Sequence, residues 1–297
     1  MLGRLGKVIF WSTLNVAVIG FRTTMLLCIV IIGIGLGESN TSKIRRQLLF
    51  PFEPGRSHII TSSQTHQHVS SSIAKPISIT VSDTVRVSGL LLNPSYARAC
   101  YILAHGAGAG MNHPFMTGVA AELARRDIAT LRYQFPYMER GAKRPDPPQL
   151  AQATVRAAVV TALVLFPNHR LVAGGKSFGG RMTSQAQAKI PLQGVCGLAF
   201  LGFPLHAAGH PSQDRASHLF DVQIPMLFLQ GTRDTLASLD QIEPLCTKLG
   251  RRATLKLFAD ADHSFHVPAR SGRKDAQVLA DLLDGFAAWL VSIIAPQ

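Results

Sequence analysis

The chain is poor in cysteine, in acidic residues and in aromatics. Its four cysteines, Cys28, Cys100, Cys196 and Cys246, stand far apart with no C-x-x-C pair, which argues against both a disulfide framework and a zinc site. Cys100 and Cys196 lie in apolar runs, where a free thiol packs as a small hydrophobe. This fits a reducing, cytoplasmic compartment for the folded part. Only 17 acidic residues offset 30 Lys and Arg, for a formal charge of +13 over 297 residues. A balance that basic brings nucleic acid and anionic membrane into consideration as partners. The charges do not form a cluster, however. Eight basic and two acidic residues fall up to Lys75, and 22 basic and 15 acidic are spread over the rest. The reading is a solvated basic surface with no nucleic-acid partner. The hydrophobic fraction of 47% is enough for a sizeable core.

The N-terminal segment differs from the remainder. Residues 8–37 are mostly apolar, with Arg22 in the middle. Each half is shorter than the roughly 20 residues of a spanning helix, and the whole would carry Arg22 near the bilayer centre. Three readings stay open: a membrane anchor, a signal cleaved near Gly35-Leu36-Gly37, or an over-extended gene start. Membrane contact, if made, is expected through residues 8–37. Residues 38–75 are rich in Ser, Thr, Gln and His and read as a disordered linker. His66 and His68 within it have no acidic or thiol neighbour and are not read as metal ligands.

From residue 76 to 297 the pattern predicts one folded domain. Ile77, Ile79 and Val81, then Val85 and Val87, alternate with polar residues across Ser82-Asp83-Thr84, a β-hairpin signal. Apolar strand-like runs then alternate with helical spacing: strands at 100–104, 129–135, 171–173, 195–201, 226–229 and 254–258, and helices near 116–124, 149–166, 178–189 and 279–293. The 149–166 helix is apolar on most sides and is expected to be well buried. Such alternation predicts an α/β fold with a mostly parallel sheet covered on both faces, and a site at the carboxyl ends of the strands.

Three segments at predicted strand ends carry chemistry. Gly175-Lys176-Ser177-Phe178-Gly179 fits G-x-S-x-G between a strand and a helix, the context of a nucleophile elbow. Gly175 and Gly179 leave room for a turn that a side chain would block. The Phe178 N–H, at the helix start, can face a developing oxyanion. Gly175-Lys176-Ser177 also looks like the end of a phosphate-binding loop, but that motif needs Gly where this chain has Arg170. His105-Gly106-Ala107-Gly108 follows an earlier strand and resembles an oxyanion loop, with Ala107 the expected second donor and Gly106 and Gly108 giving access. Asp234 follows the strand Met226–Leu229, and His263 follows the strand ending at Phe258. The order Ser177, Asp234, His263 is that of a Ser-Asp-His triad on this type of sheet. Asp240 and Asp262 are weaker acid candidates. His206 and His210 lack a third ligand and read as surface-loop histidines, and His266 as a neighbour of His263. Arg132, Arg140, Lys143 and Arg144 offer a site for an anionic substrate group, but read mainly as a solvated basic loop. No metal and no organic cofactor are expected.

Over about residues 76–295 these motifs resemble the α/β-hydrolase superfamily. Arg132–Tyr137, Gly174–Gly180, Gln230–Asp234 and Gly202-Phe203-Pro204-Leu205 with Arg215, His218 and Leu219 resemble a narrower branch. That branch comprises small dienelactone-hydrolase-like proteins related to a subunit of an animal histone-acetyltransferase complex. Dienelactone hydrolase itself carries a Cys nucleophile where this chain has Ser177. The longest inter-element segments, near 136–148 and 203–222, are expected to wall the site, with no insertion large enough for a separate lid domain. The resemblance implies an α/β-hydrolase fold. It also implies a serine hydrolase acting on a small acyl substrate (ester, thioester or related), with peptidase or non-catalytic scaffold as alternatives.

Overall fold

A computed structural model describes residues 73–295, apart from 208, 211 and 213. The expectations for residues 1–37 and for almost all of 38–75 lie outside the described residues.

Among the described residues, eight strands form one sheet: β1 Lys75–Thr80, β2 Arg86–Leu92, β3 Ala99–Ala104, β4 Ile128–Tyr133, β5 Arg170–Lys176, β6 Val195–Leu201, β7 Met226–Gly231 and β8 Ala253–Phe258. Their spatial order is β1-β2-β4-β3-β5-β6-β7-β8. β1 and β2 form the hairpin read from the alternation, and β2 pairs antiparallel with β4. From β4 to β8 every pairing is parallel. The helices are α1 Pro114–Ala124, α2 Pro136–Glu139, α3 Pro148–Leu165, α4 Phe178–Lys189, α5 Leu239–Leu249 and α6 Asp275–Ile294.

The period of two in each strand divides the core into two layers. Cys100, Ile102 and Ala104 of β3 lie in the layer that holds α3, α4 and α5, while Tyr101 and Leu103 lie in the layer that holds α1 and α6. β7 splits likewise, Met226 and Phe228 to one side, Leu227 and Leu229 to the other. β3, β4 and β7 are buried along their whole length, which explains why they read as continuous apolar runs. Among the described residues the result is a mostly parallel sheet with helices on both faces and no separate lid domain, as the sequence predicts.

One sequence expectation needs correction here. α3 is not buried all round. Ala151, Val155, Ala158, Val159 and Ala162 pack on the sheet, but Val160, Val164 and Leu165 are exposed. A helix laid on a sheet buries one face, and here the other faces a groove of about 650 Å³ shared with Ser78, Thr80 and Val81 of the edge hairpin. The inter-element segments 136–148 and 203–222 also hold short elements of their own. They contain α2 and a 3₁₀ helix over Asp214–Asp221.

Candidate active site

All three expected segments end at the carboxyl edge of the parallel strands. β5 runs directly into Ser177, whose backbone sits at φ 49° and ψ −113°, a strained conformation for a non-glycine residue. The turn is held tightly from below. A Cβ on Gly175 would lie 2.2 Å from the Ala104 carbonyl oxygen, and one on Gly179 would lie 2.6 Å from those of Ala104 and His105. Only glycine fits at either place. The Ser177 N–H donates to the Leu201 carbonyl at 3.3 Å, which ties the elbow to the end of β6.

Ser177, His263 and Asp234 are joined by hydrogen bonds. The His263 Nδ1–H donates to Asp234 Oδ2 at 2.7 Å, leaving Nε2 to accept from the Ser177 hydroxyl at 2.9 Å. Asp234 is buried, His263 is partly accessible, and Ser177 is half-buried. Asp234 accepts two further bonds: Leu236 N–H donates to Oδ1 at 2.8 Å and Gln230 Nε2 to Oδ2. Gln230 is itself oriented, because its Oε1 accepts from the Phe203 N–H at 2.9 Å. Sequence reasoning passed over Gln230. The available signal was an amide at the end of an otherwise apolar strand, since a buried polar group needs a partner.

The oxyanion loop lies against the elbow. A Cβ on Gly106 would be 3.8 Å from Ser177 Cβ. The Gly108 N–H is used, donating to Tyr137 Oη at 3.0 Å. Among the described residues the N–H groups of Ala107 and Phe178 take no protein acceptor, so both remain available to a ligand. Phe178 packs edge to face with Phe135 and Tyr137, at centroid distances of 5.3 and 6.5 Å. α2 is fixed beside them by Asp146, which accepts from Tyr137 N–H at 2.8 Å and from Arg140 at 2.7 Å.

His105 fixes the base of this loop. Its Nδ1–H donates to the Gly106 carbonyl at 2.8 Å, and its Nε2 accepts from Phe135 N–H at 3.0 Å. Both bonds belong to the neutral ring, and burial pushes its pKa down to about 4 from the usual 6.5. The unfolded chain takes up a proton that the folded ring resists. The stability from this residue is therefore present above about pH 6.5 and is lost as pH falls through 4. The expected loss is about 3 kcal/mol across that window. Urea unfolding near pH 7 and pH 4 measures it, and His105→Gln should flatten the dependence. His218, also pushed down to about 4 by burial and the Arg181 charge, acts in the same direction.

The remaining candidates are placed elsewhere. Asp262 Oδ1 accepts from the N–H groups of Ser264 and His266, so it builds the turn that carries His263. Asp240 lies in the first turn of α5. His266 pairs with Asp275 at 2.8 Å. Arg132 is not part of a solvated loop. It lies in β4, buried, and donates to the Met111 carbonyl and the Thr117 hydroxyl, because its strand runs through the sheet interior. His206 is likewise buried rather than on the surface, bonded through Nδ1 to the Ala207 carbonyl. A second Ser-His contact joins Ser184 to His218 at 2.7 Å. Ser184 is fully buried in α4 and also donates to the Arg181 carbonyl, so this contact ties the 3₁₀ helix to α4. The Cys100 thiol, pushed up to about 12 by burial, is unreactive.

An α/β sheet with this elbow and a serine-histidine-aspartate hydrogen-bond chain defines the class. A family model for an alpha/beta hydrolase domain matches residues 97–291, and the chain belongs to that family. Among solved structures it is similar to a dienelactone hydrolase from Anabaena variabilis, at 21% identity and TM-score 0.61 over 74% of this chain and 98% of that one. It is similar also to XC6422 from Xanthomonas campestris, described as a serine hydrolase without lid, at 21% identity and TM-score 0.58 over 75% and 97%. A third similar structure is Est1E from Butyrivibrio proteoclasticus, at 14% identity and TM-score 0.56 over 72% and 99%.

Proposed function

We propose that the chain is a serine hydrolase cleaving an ester, thioester or related acyl bond of a small substrate. The observation that carries this reading is the hydrogen-bond chain from Ser177 through His263 to Asp234 at the end of a strained elbow. His263 Nε2 takes the Ser177 proton as Oγ bonds to the acyl carbon. Asp234 holds the Nδ1–H tautomer and stabilises the imidazolium. The N–H groups of Ala107 and Phe178 receive the oxyanion, where one donor is typically worth about 10²–10³ in rate. The tetrahedral adduct collapses as the leaving group takes the proton from His263. Water then attacks the acyl-enzyme with His263 as base, the acyl–Oγ bond breaks, and Ser177 regains its proton. The steps use only this chain's own groups and water.

Gln230→Leu tests the support behind the acid. It leaves Phe203 N–H without a partner and removes one of the two donors to Asp234 Oδ2, at a cost of about 1–3 kcal/mol. It should also lower kcat by roughly tenfold or more through a misdirected Asp234. Urea unfolding and ester turnover read the two effects separately.

A panel of acyl esters, acyl thioesters and short peptides tests the proposal. Turnover of esters or thioesters that is lost in Ser177→Ala supports it. Peptide cleavage alone would make the chain a peptidase. Turnover of nothing by a well-folded sample would make it a binding or scaffold protein on a hydrolase fold.

A further inference from the structure

Lys176, immediately before the nucleophile, is not used by the steps above. Its stem passes under the oxyanion loop, where a Cβ on Gly106 would meet Lys176 Cγ at 3.4 Å. Its ammonium donates to the His263 carbonyl oxygen and lies over the Phe265 ring at 5.5 Å from the centroid. The end of β6 closes the remaining side. A Cβ on Gly202 would lie 2.9 Å from Lys176 Nζ and 3.4 Å from His263 Nδ1, so the glycine lies directly against both side chains. The turn that Lys176 grips is itself strained, with Asp260 at φ 59° and Phe265 at φ 64°. A bulky aromatic in that region persists only when its surroundings hold it there.

We propose, resting on the hydrolase reading, that Lys176 is a positioning residue for His263. Its ammonium clamps the His263 carbonyl and the Phe265 ring, and so sets the imidazole between Ser177 and Asp234. No carboxylate is bonded to this ammonium among the described residues. The charged and titratable groups near it are Asp234 from the turn after β7, and Asp262 and His263 from the turn after β8. The β3 and β6 ends meet it with Gly106 and Gly202. Burial pushes its pKa down to about 8 from 10.5, partly offset by Asp234 and Asp262. Holding the charge therefore costs stability below about pH 8, and that cost fades as pH rises from 8 toward 10.5. The clamp works in the opposite direction: loss of the proton above pH 8 weakens the bond to the carbonyl and the pull on the ring.

These opposed trends separate positioning from a merely structural role. Lys176→Met and Lys176→Arg are compared with wild type by thermal melting, by kcat and KM for p-nitrophenyl acetate from about pH 6 to 10, and by the imidazole N–H resonance of His263. Wild type should lose turnover above about pH 8. Lys176→Met should melt at the same temperature or higher, since an apolar side chain replaces an unpaired charge. Its kcat should fall by about tenfold or more with KM nearly unchanged, its limb near pH 8 should vanish, and its His263 N–H signal should broaden. Lys176→Arg should retain part of the turnover and move the limb upward. A Lys176→Met protein that keeps kcat and the limb overturns the proposal, as does one whose loss of turnover follows a fall in melting temperature. If Lys176→Met does not fold, an unmoved limb in Lys176→Arg overturns it. If wild type hydrolyses no ester, the reading of the chain as a hydrolase fails. The clamp is then judged by the His263 resonance alone: broadening in the variant upholds it, and an unchanged signal overturns it.

Discussion

Ser177→Ala is expected to lower ester turnover by about 10⁵-fold or more while leaving the fold intact. In the proposed mechanism the Ser177 Oγ is the atom that bonds to the acyl carbon, so no neighbouring group can replace it. Ser184 cannot, because it is fully buried within α4 and already bonded to the Arg181 carbonyl and to His218. The residual rate should reflect substrate binding and the two oxyanion donors, which the substitution leaves in place. Stability should hold or rise slightly, since Ala relieves the donor–acceptor demand at a strained position without opening a large cavity. Initial rates with an activated ester, paired with a thermal melt, measure both. A rate within tenfold of wild type would remove Ser177 from the mechanism.

Asp234→Asn is expected to lower turnover by about 10⁴-fold with little loss of packing. Asn has nearly the same shape and can still accept from Leu236 N–H. Its amide N–H₂ would face His263 Nδ1, however, and the imidazole would then carry its proton on Nε2. A ring protonated at Nε2 cannot accept from Ser177, whose hydroxyl stands 2.9 Å away. The effect is thus on kcat and on the rate of covalent labelling, with KM little changed. The same substitution places an amide against the Gln230 amide, so a modest fall in melting temperature should accompany it. A loss below about tenfold would mean that Asp234 does not set the tautomer.

The strands and the three site residues were readable because each strand is an apolar run ended by a residue of different kind. β5 ends in Gly175-Lys176-Ser177, β7 leads to Asp234 and β8 leads to His263. In a parallel sheet those ends share one edge, so local pattern and chain order were enough to bring the three side chains to one place. What depended on contacts across the sheet was hidden. Gln230 looked like the last residue of a strand, and only the approach of Phe203 and Asp234 gives its amide two partners. Lys176 filled the unspecified second position of G-x-S-x-G, and only the approach of the His263 carbonyl gives its ammonium a partner. Arg132 and His206 were misjudged as surface residues because polarity in a sequence does not reveal an interior acceptor, and the Met111, Thr117 and Ala207 groups that satisfy them come from packing. The exposed face of α3 was missed for the converse reason. Val160, Val164 and Leu165 are as apolar as the face that packs, and periodicity alone does not tell a buried apolar residue from an exposed one.

The central claim is that Ser177 is an activated nucleophile. The most direct test is labelling of the intact chain with a fluorophosphonate, followed by peptide mass spectrometry. A single adduct on Ser177 is expected, formed rapidly in wild type, slowly in His263→Ala and Asp234→Asn, and not at all in Ser177→Ala. A folded wild-type protein that takes up no label, or that carries it on a serine other than Ser177, would contradict the account.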